Sequence, residues 1–192
     1  MKPIKIAILI LAFLFLYSCR NDENCTWWQE VTSISSSYLQ YGTGIHNIEE
    51  NDTIPSRELM VNVGFHLQDV STHLECTGEN LAKNEIDSEI SNFTITTVYN
   101  FNQQFSAGDT MNGCFELYSY NYINSHGGFS YFSDISSLNE YTNTFPVQNN
   151  GNIFLLLNSS TDSLRLVQFN INYRETDGSE FTCTTPLVFL NP

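Results

Sequence analysis

Apolar and polar residues alternate along much of this chain. From Leu59 the odd positions are Leu59, Val61, Val63, Phe65 and Leu67, set against Met60, Asn62, Gly64, His66 and Gln68. Period two sends successive side chains to opposite faces, so this run predicts a strand with one buried face. Phe93, Ile95, Thr97, Tyr99 and Phe101 repeat the pattern against Thr94, Thr96, Val98 and Asn100. Ile153 to Leu157 is apolar throughout, which suits a central strand covered on both faces. Asn158 to Ser163 is small and polar and reads as a turn.

Leu164 and Leu166 share one parity, whereas Phe169, Ile171 and Tyr173 share the other. The change of phase at Leu166-Val167 predicts a β-bulge. Next comes a hairpin. A three-residue loop, Thr176-Asp177-Gly178, puts glycine at the left-handed position such loops require. That register sets Tyr173 opposite Phe181 and Ile171 opposite Cys183, with Cys183 buried; a one-residue slip would expose every apolar side chain. Helical spacing is scarce: Ser133 to Tyr141 suits one or two turns, with Ile135 and Leu138 inward. Gly42 to Pro55, with Glu49, Glu50 and Asp52, reads as a long acidic loop, and Gly113 and Gly127-Gly128 mark other turns. Together these elements predict an all-β fold: an antiparallel β-sandwich, broadly immunoglobulin-like, of about seven strands with at most one short helix.

The amino terminus breaks the alternation. Lys2 and Lys5 precede 12 consecutive apolar residues, Ile6 to Tyr17. A spanning helix needs roughly 20. A basic head and a short apolar core instead describe a secretory signal. Leu16-Tyr17-Ser18-Cys19 resembles the lipobox of bacterial lipoproteins, which implies cleavage before Cys19 and lipidation of its thiol. Two or more acyl chains anchor stably, at about 0.8 kcal/mol per buried CH₂. Arg20-Asn21-Asp22-Glu23-Asn24 resembles the surface-export signal of lipoproteins of the Bacteroidota, a likeness that assigns export to Asp22 and Glu23. The expected organisation is a signal peptide at 1–18, an acidic tether at 19–26 and one sandwich domain at 27–192. The expected place is the outer membrane, displayed at the cell surface, with the periplasmic face as the alternative.

Charge narrows the partners. Residues 1–18 hold two lysines and no acid, so their removal takes the formal charge from −14 to −16. Such acidity excludes nucleic acid, whose phosphates would repel it, and close contact with an anionic bilayer. The only membrane contact expected is the lipid anchor. Once Cys19 is lipidated, Cys25, Cys76, Cys114 and Cys183 remain. An even count in an exported protein predicts two disulfides of three possible connectivities. Cys25–Cys183 with Cys76–Cys114 is the arrangement favoured.

Ile90 to Leu117 carries a further likeness, in Ile95, Tyr99, Asn100-Phe101, Ala107-Gly108-Asp109 and Asn112. This stretch resembles a pattern in uncharacterised exported lipoproteins of the Bacteroidota, a likeness that implies no activity and no catalytic residues. Asp52-Thr53-Ile54, Asp109-Thr110-Met111 and Asp162-Ser163-Leu164 resemble the Asp-(Ser/Thr)-apolar pattern of O-glycosylation in Bacteroides-like bacteria, with Thr53, Thr110 and Ser163 as acceptors.

Motifs of catalysis are missing from the chain. His46, His66, His73 and His126 lack metal-ligand spacing. His126-Gly127-Gly128 has no Gly-x-Ser-x-Gly elbow to serve and reads as a plain turn. No phosphate loop, dinucleotide fingerprint or calcium loop is present, so no cofactor and no metal is expected. Aromatic residues are abundant, and Tyr118, Tyr120, Tyr122, Phe129 and Tyr131 fall within one segment. Such rings fill cores, pair across strands, or stand on a surface and anchor a partner. The expected function is a non-enzymatic binding or accessory protein for a protein or a glycan. The alternatives are an envelope hydrolase with a dispersed site and a calcium-dependent adhesin.

Overall fold

A computed structural model describes residues 26–42, 45–69, 83–86, 90–123, 126–137 and 151–192. The fold is an all-β sandwich. One layer is a sheet built on β1 (Thr26–Tyr41), β4 (Leu59–Asp69), β9 (Asn152–Leu157), β7 (Phe115–Ile123) and β8 (His126–Asp134), side by side in that order. Two short strands flank β1: β2 (Ile45–Asn47), and β5 (Lys83–Ile86), which runs parallel to it. The opposing layer holds two three-stranded sheets. One is β12 (Glu180–Thr184), β11 (Phe169–Glu175) and β6 (Ile90–Thr97); the other is β10 (Arg165–Val167), β13 (Val188–Asn191) and β3 (Thr53–Pro55). Pairing is antiparallel except for β1–β5 and β13–β3. Among the described residues the only helical elements are three single 3-10 turns, at Ser56–Glu58, Asn112–Cys114 and Ile135–Ser137.

The inward parities are those the alternation demands. Val61, Val63 and Phe65 of β4, Ile153, Leu155 and Leu157 of β9, and Phe115 and Leu117 of β7 face Phe93 and Ile95 of β6 and Phe169, Ile171 and Tyr173 of β11 in one core. Rings bridge the layers, with Phe65 edge-on to Tyr173 at 5.0 Å and Phe115 edge-on to Phe169 at 5.4 Å. Met60 and Leu156 are buried on the opposite face, so β9 is covered on both sides; β4, expected to have one buried face, is covered on its second face at Met60 but exposed there at His66.

The terminal hairpin forms in the expected register. Tyr173 pairs with Phe181 and Ile171 with Cys183. Gly178 has φ +98° and its N–H donates to the Glu175 carbonyl at 3.1 Å. Cys183 is only half-buried, because β12 is an edge strand with a neighbour on one side.

Several expectations are corrected. The phase change at Leu166-Val167 is a change of sheet rather than a bulge. β10 pairs with β13, Gln168 turns the corner, and β11 pairs with β12 and β6. Leu164 is exposed beyond the end of β10. Tyr99 is exposed because β6 ends at Thr97, whose hydroxyl donates to the Tyr99 carbonyl at 2.6 Å. Gly127 and Gly128 lie inside β8, opposite Tyr122 and Asn121, so His126-Gly127-Gly128 is strand rather than turn. The acidic segment 45–55 is ordered by β2, β3 and a turn in which Asp52 Oδ2 accepts the Glu49 N–H at 2.9 Å. At Ser133–Tyr141 a single 3-10 turn carries the half-buried Ile135; Leu138 lies outside the described residues. The strand count exceeds seven because runs that change sheet count twice and because β2, β3 and β5 span three or four residues each.

The residues of the Ile90–Leu117 likeness build one loop. Asn100 Oδ1 accepts the Ala107 N–H, Asp109 Oδ2 accepts the Ser106 N–H, and Gly108 has φ +88°. Asn112 accepts from the Ile95 N–H and donates to the Phe93 carbonyl, extending the edge of β6 with its side chain. Their polarity thus serves backbone groups that no strand reaches.

Two phenols sit in this interior. Burial, opposed by the bond to Thr185, pushes Tyr38 above the ordinary tyrosine range. Burial likewise raises Tyr173, reinforced by its bond to Glu175 and by the charges of Glu175 and Asp177. A folded pKa above the unfolded one means the native state keeps its proton longer. That stability is complete below about pH 10 and is lost as pH rises further, at about 1.4 kcal/mol per pH unit for each tyrosine. Urea midpoints measured from pH 8 to 11 should fall steeply above pH 10, and Tyr38→Phe should remove about half of the slope. An unchanged slope in that variant would show that Tyr38 ionises in the folded state.

Candidate binding face

The β7–β8 hairpin carries the aromatic segment. Cross-strand register pairs Tyr118 with Tyr131, Tyr120 with Phe129 and Tyr122 with Gly127, with an irregularity between Leu117 and Tyr118. Leu117 points into the core, so Tyr118 takes the outer face. There Tyr118 meets Tyr131 edge-on at 5.7 Å and Tyr41 of β1 at 5.9 Å. Phe129 contacts Tyr41 at 6.1 Å and Phe154 of β9 at 4.7 Å. Of the five expected aromatics, Tyr118, Phe129 and Tyr131 are thereby brought together; the side chains of Tyr120 and Tyr122 lie outside the described part. Tyr41 and Phe154 join the group from distant strands. Their spacing gave no sign of it, because only the sheet order places β1 and β9 near the hairpin.

Most of these rings pack on one another. Tyr131 differs, with 61% of its surface exposed. It stands at the edge of a groove of about 660 Å³ between the layers. The groove is lined by β6 at Asn92, by β7 at Glu116, by the end of β8 at Asp134 and by Asn158 after β9. Glu116 and Asp134 are direct cross-strand partners. Like charges so placed repel, and local donors offset this. The Ser136 N–H bonds Asp134 Oδ1 at 3.0 Å and the Ser136 hydroxyl bonds the same oxygen. The Tyr118 hydroxyl donates to Glu116 Oε2 at 3.4 Å. Burial raises the Tyr118 phenol above its ordinary value, and the negative charge of Glu116 raises it further, so it remains a donor at neutral pH. Among the described residues, neither a histidine nor a basic residue lines the groove.

The chain matches no protein-family model, and it has no significant match among curated proteins.

The remaining sequence candidates fall elsewhere. Cys19, Asp22, Glu23, Cys25 and Cys76 lie outside the described residues, as does His73. Cys114 and Cys183 are free thiols, so no disulfide joins described residues. Burial raises both thiols above their ordinary range, opposed by hydrogen bonds with Ser159 and Ser36 respectively. They are neutral and poor nucleophiles. Among the described residues, no three His, Cys, Asp or Glu side chains gather as metal ligands. Thr53, Thr110 and Ser163, the O-glycosylation candidates, are all exposed. His46 and His66 are exposed too, with His66 on the outward parity of β4.

Proposed function

We propose that this chain is a lipid-anchored protein of the cell envelope whose sandwich domain is a binding module, presented outward on the tether at 19–26. The observation that carries the binding part is Tyr131: a large exposed ring, braced by Tyr118, at the rim of a polar groove. Rings fixed in this way add contact area at little cost in conformational freedom. The Leu16–Cys19 lipobox and the acids Asp22 and Glu23 support the anchored and displayed part.

Protease shaving of intact host cells tests display. The wild-type protein should be digested, and Asp22→Ala/Glu23→Ala should be protected. Protection of both forms would place the domain on the periplasmic side. Binding is tested in the same cells by a photo-crosslinking phenylalanine analogue at position 131. A specific adduct absent from the same substitution at position 99 is expected; no adduct would count against a binding face here.

A further inference from the structure

The groove can be read more closely. A binding surface must match its ligand in charge, in hydrogen-bond sense and in apolar area. All three are visible here. First, the lining carries Glu116 and Asp134 and, among the described residues, no Lys or Arg, so a carboxylate or sulfate ligand would be repelled by the two carboxylates. Second, donors and acceptors are mixed. Asp134 Oδ1 is occupied by Ser136 and Glu116 Oε2 by Tyr118, which leaves each carboxylate a second oxygen to accept with. Asn92 and Asn158 offer amide N–H groups. A bare ammonium or guanidinium would meet the carboxylates but make no use of the exposed amide donors of Asn92 and Asn158. Third, the exposed Tyr131 ring, in edge-on contact with Tyr118, presents a flat apolar face.

A neutral pyranose combines these features. Its hydroxyls are both donors and acceptors around a ring edge, and one face is lined by C–H groups. We infer that the groove binds an uncharged sugar of an oligosaccharide, stacked on Tyr131 and hydrogen-bonded to Glu116, Asp134, Asn92 and Asn158. This rests on the binding-module reading and names the ligand class for it. A cavity of about 660 Å³ lies within the usual range of roughly 300–1,000 Å³ for small-molecule sites.

The test uses the purified full-length protein in detergent on an array of neutral, uronate-containing and sulfated oligosaccharides, with lysine-rich peptides as a fourth class. Binding to neutral oligosaccharides is expected, weakened at least tenfold by Tyr131→Ala. Tyr99→Ala, which removes an exposed tyrosine that does not line the groove, should leave it unchanged. Equal urea midpoints for the three proteins would show that both variants fold. No binding to neutral sugars, binding confined to acidic sugars or to peptides, or binding indifferent to Tyr131→Ala would each overturn the inference. If a crosslink at position 131 persists in cells while the array is blank, only the sugar assignment fails. If both are blank, the binding-module reading fails with it.

Discussion

Phe169→Ala should lower the stability of the folded chain by about 3–5 kcal/mol. Phe169 opens β11 just after the chain changes sheet, and it is fully buried. Its ring meets Phe115 of the opposite layer at 5.4 Å and Phe101 at 6.4 Å. Truncation therefore removes contacts to both layers at once. The two neighbours belong to a strand and to a loop closed by its own hydrogen bonds, so neither can easily move in to fill the space. Against a total stability of about 5–15 kcal/mol, this is a large fraction. In urea, with a slope of about 2 kcal/mol per M, the midpoint should fall by about 1.5–2.5 M. Tyr131→Ala, at an exposed position, should stay within about 0.5 kcal/mol of wild type. A Phe169→Ala midpoint within 0.5 M of wild type, by the same scale, would show that the layers do not meet through this ring.

What could be read from the chain follows the range of the forces involved. The register of the terminal hairpin was legible, though not the half-exposure of Cys183 on its edge strand: turn chemistry and period-two alternation are both local, and each specifies the same register. β4 and β9 were legible for the same reason. Alternation says which side chains share a face but not which strand lies alongside. Val167 and Phe169 are both buried, yet they belong to different sheets. Tyr99 continues the parity of Ile95, but side-chain bonds at Thr97 end the strand first. Gly127-Gly128 carries a turn composition, and its place in β8 depends on a partner strand that composition does not reveal.

The binding face divides in the same way. The aromatic richness of 118–132 was visible, because residue type is local information. The groove was not: Asn92, Glu116, Asp134 and Asn158 come from four separate segments that meet only when the layers close. Among the described rings of this segment, exposure singles out Tyr131, and exposure is a property of the packed chain. The expectations for the residues before Thr26 stand apart from this, since they rest on the likeness of short motifs and not on any packing.

Thr185→Val should be nearly as damaging as the loss of Phe169, although it changes almost no volume. The Thr185 hydroxyl lies 2.6 Å from the Tyr38 hydroxyl and accepts the Phe169 N–H at 2.8 Å. Its backbone N–H donates to the Phe169 carbonyl at 2.9 Å. Tyr38 belongs to β1, and Thr185 follows β12 in the opposite layer, so this polar knot joins the layers inside the core. Valine leaves the Phe169 N–H without its acceptor and the Tyr38 hydroxyl without its partner, each at about 1–3 kcal/mol, so a total of about 2–6 kcal/mol is expected. Tyr38→Phe alone removes the hydroxyl–hydroxyl bond but leaves Thr185 accepting from the Phe169 N–H, at about 1 kcal/mol. In the double variant the phenol no longer needs a partner, so Thr185→Val should cost at least about 1 kcal/mol less in the Tyr38→Phe background than in wild type. Urea unfolding of the four proteins measures that coupling. Strict additivity would mean that the two hydroxyls do not depend on each other and that the layers are held by apolar packing alone.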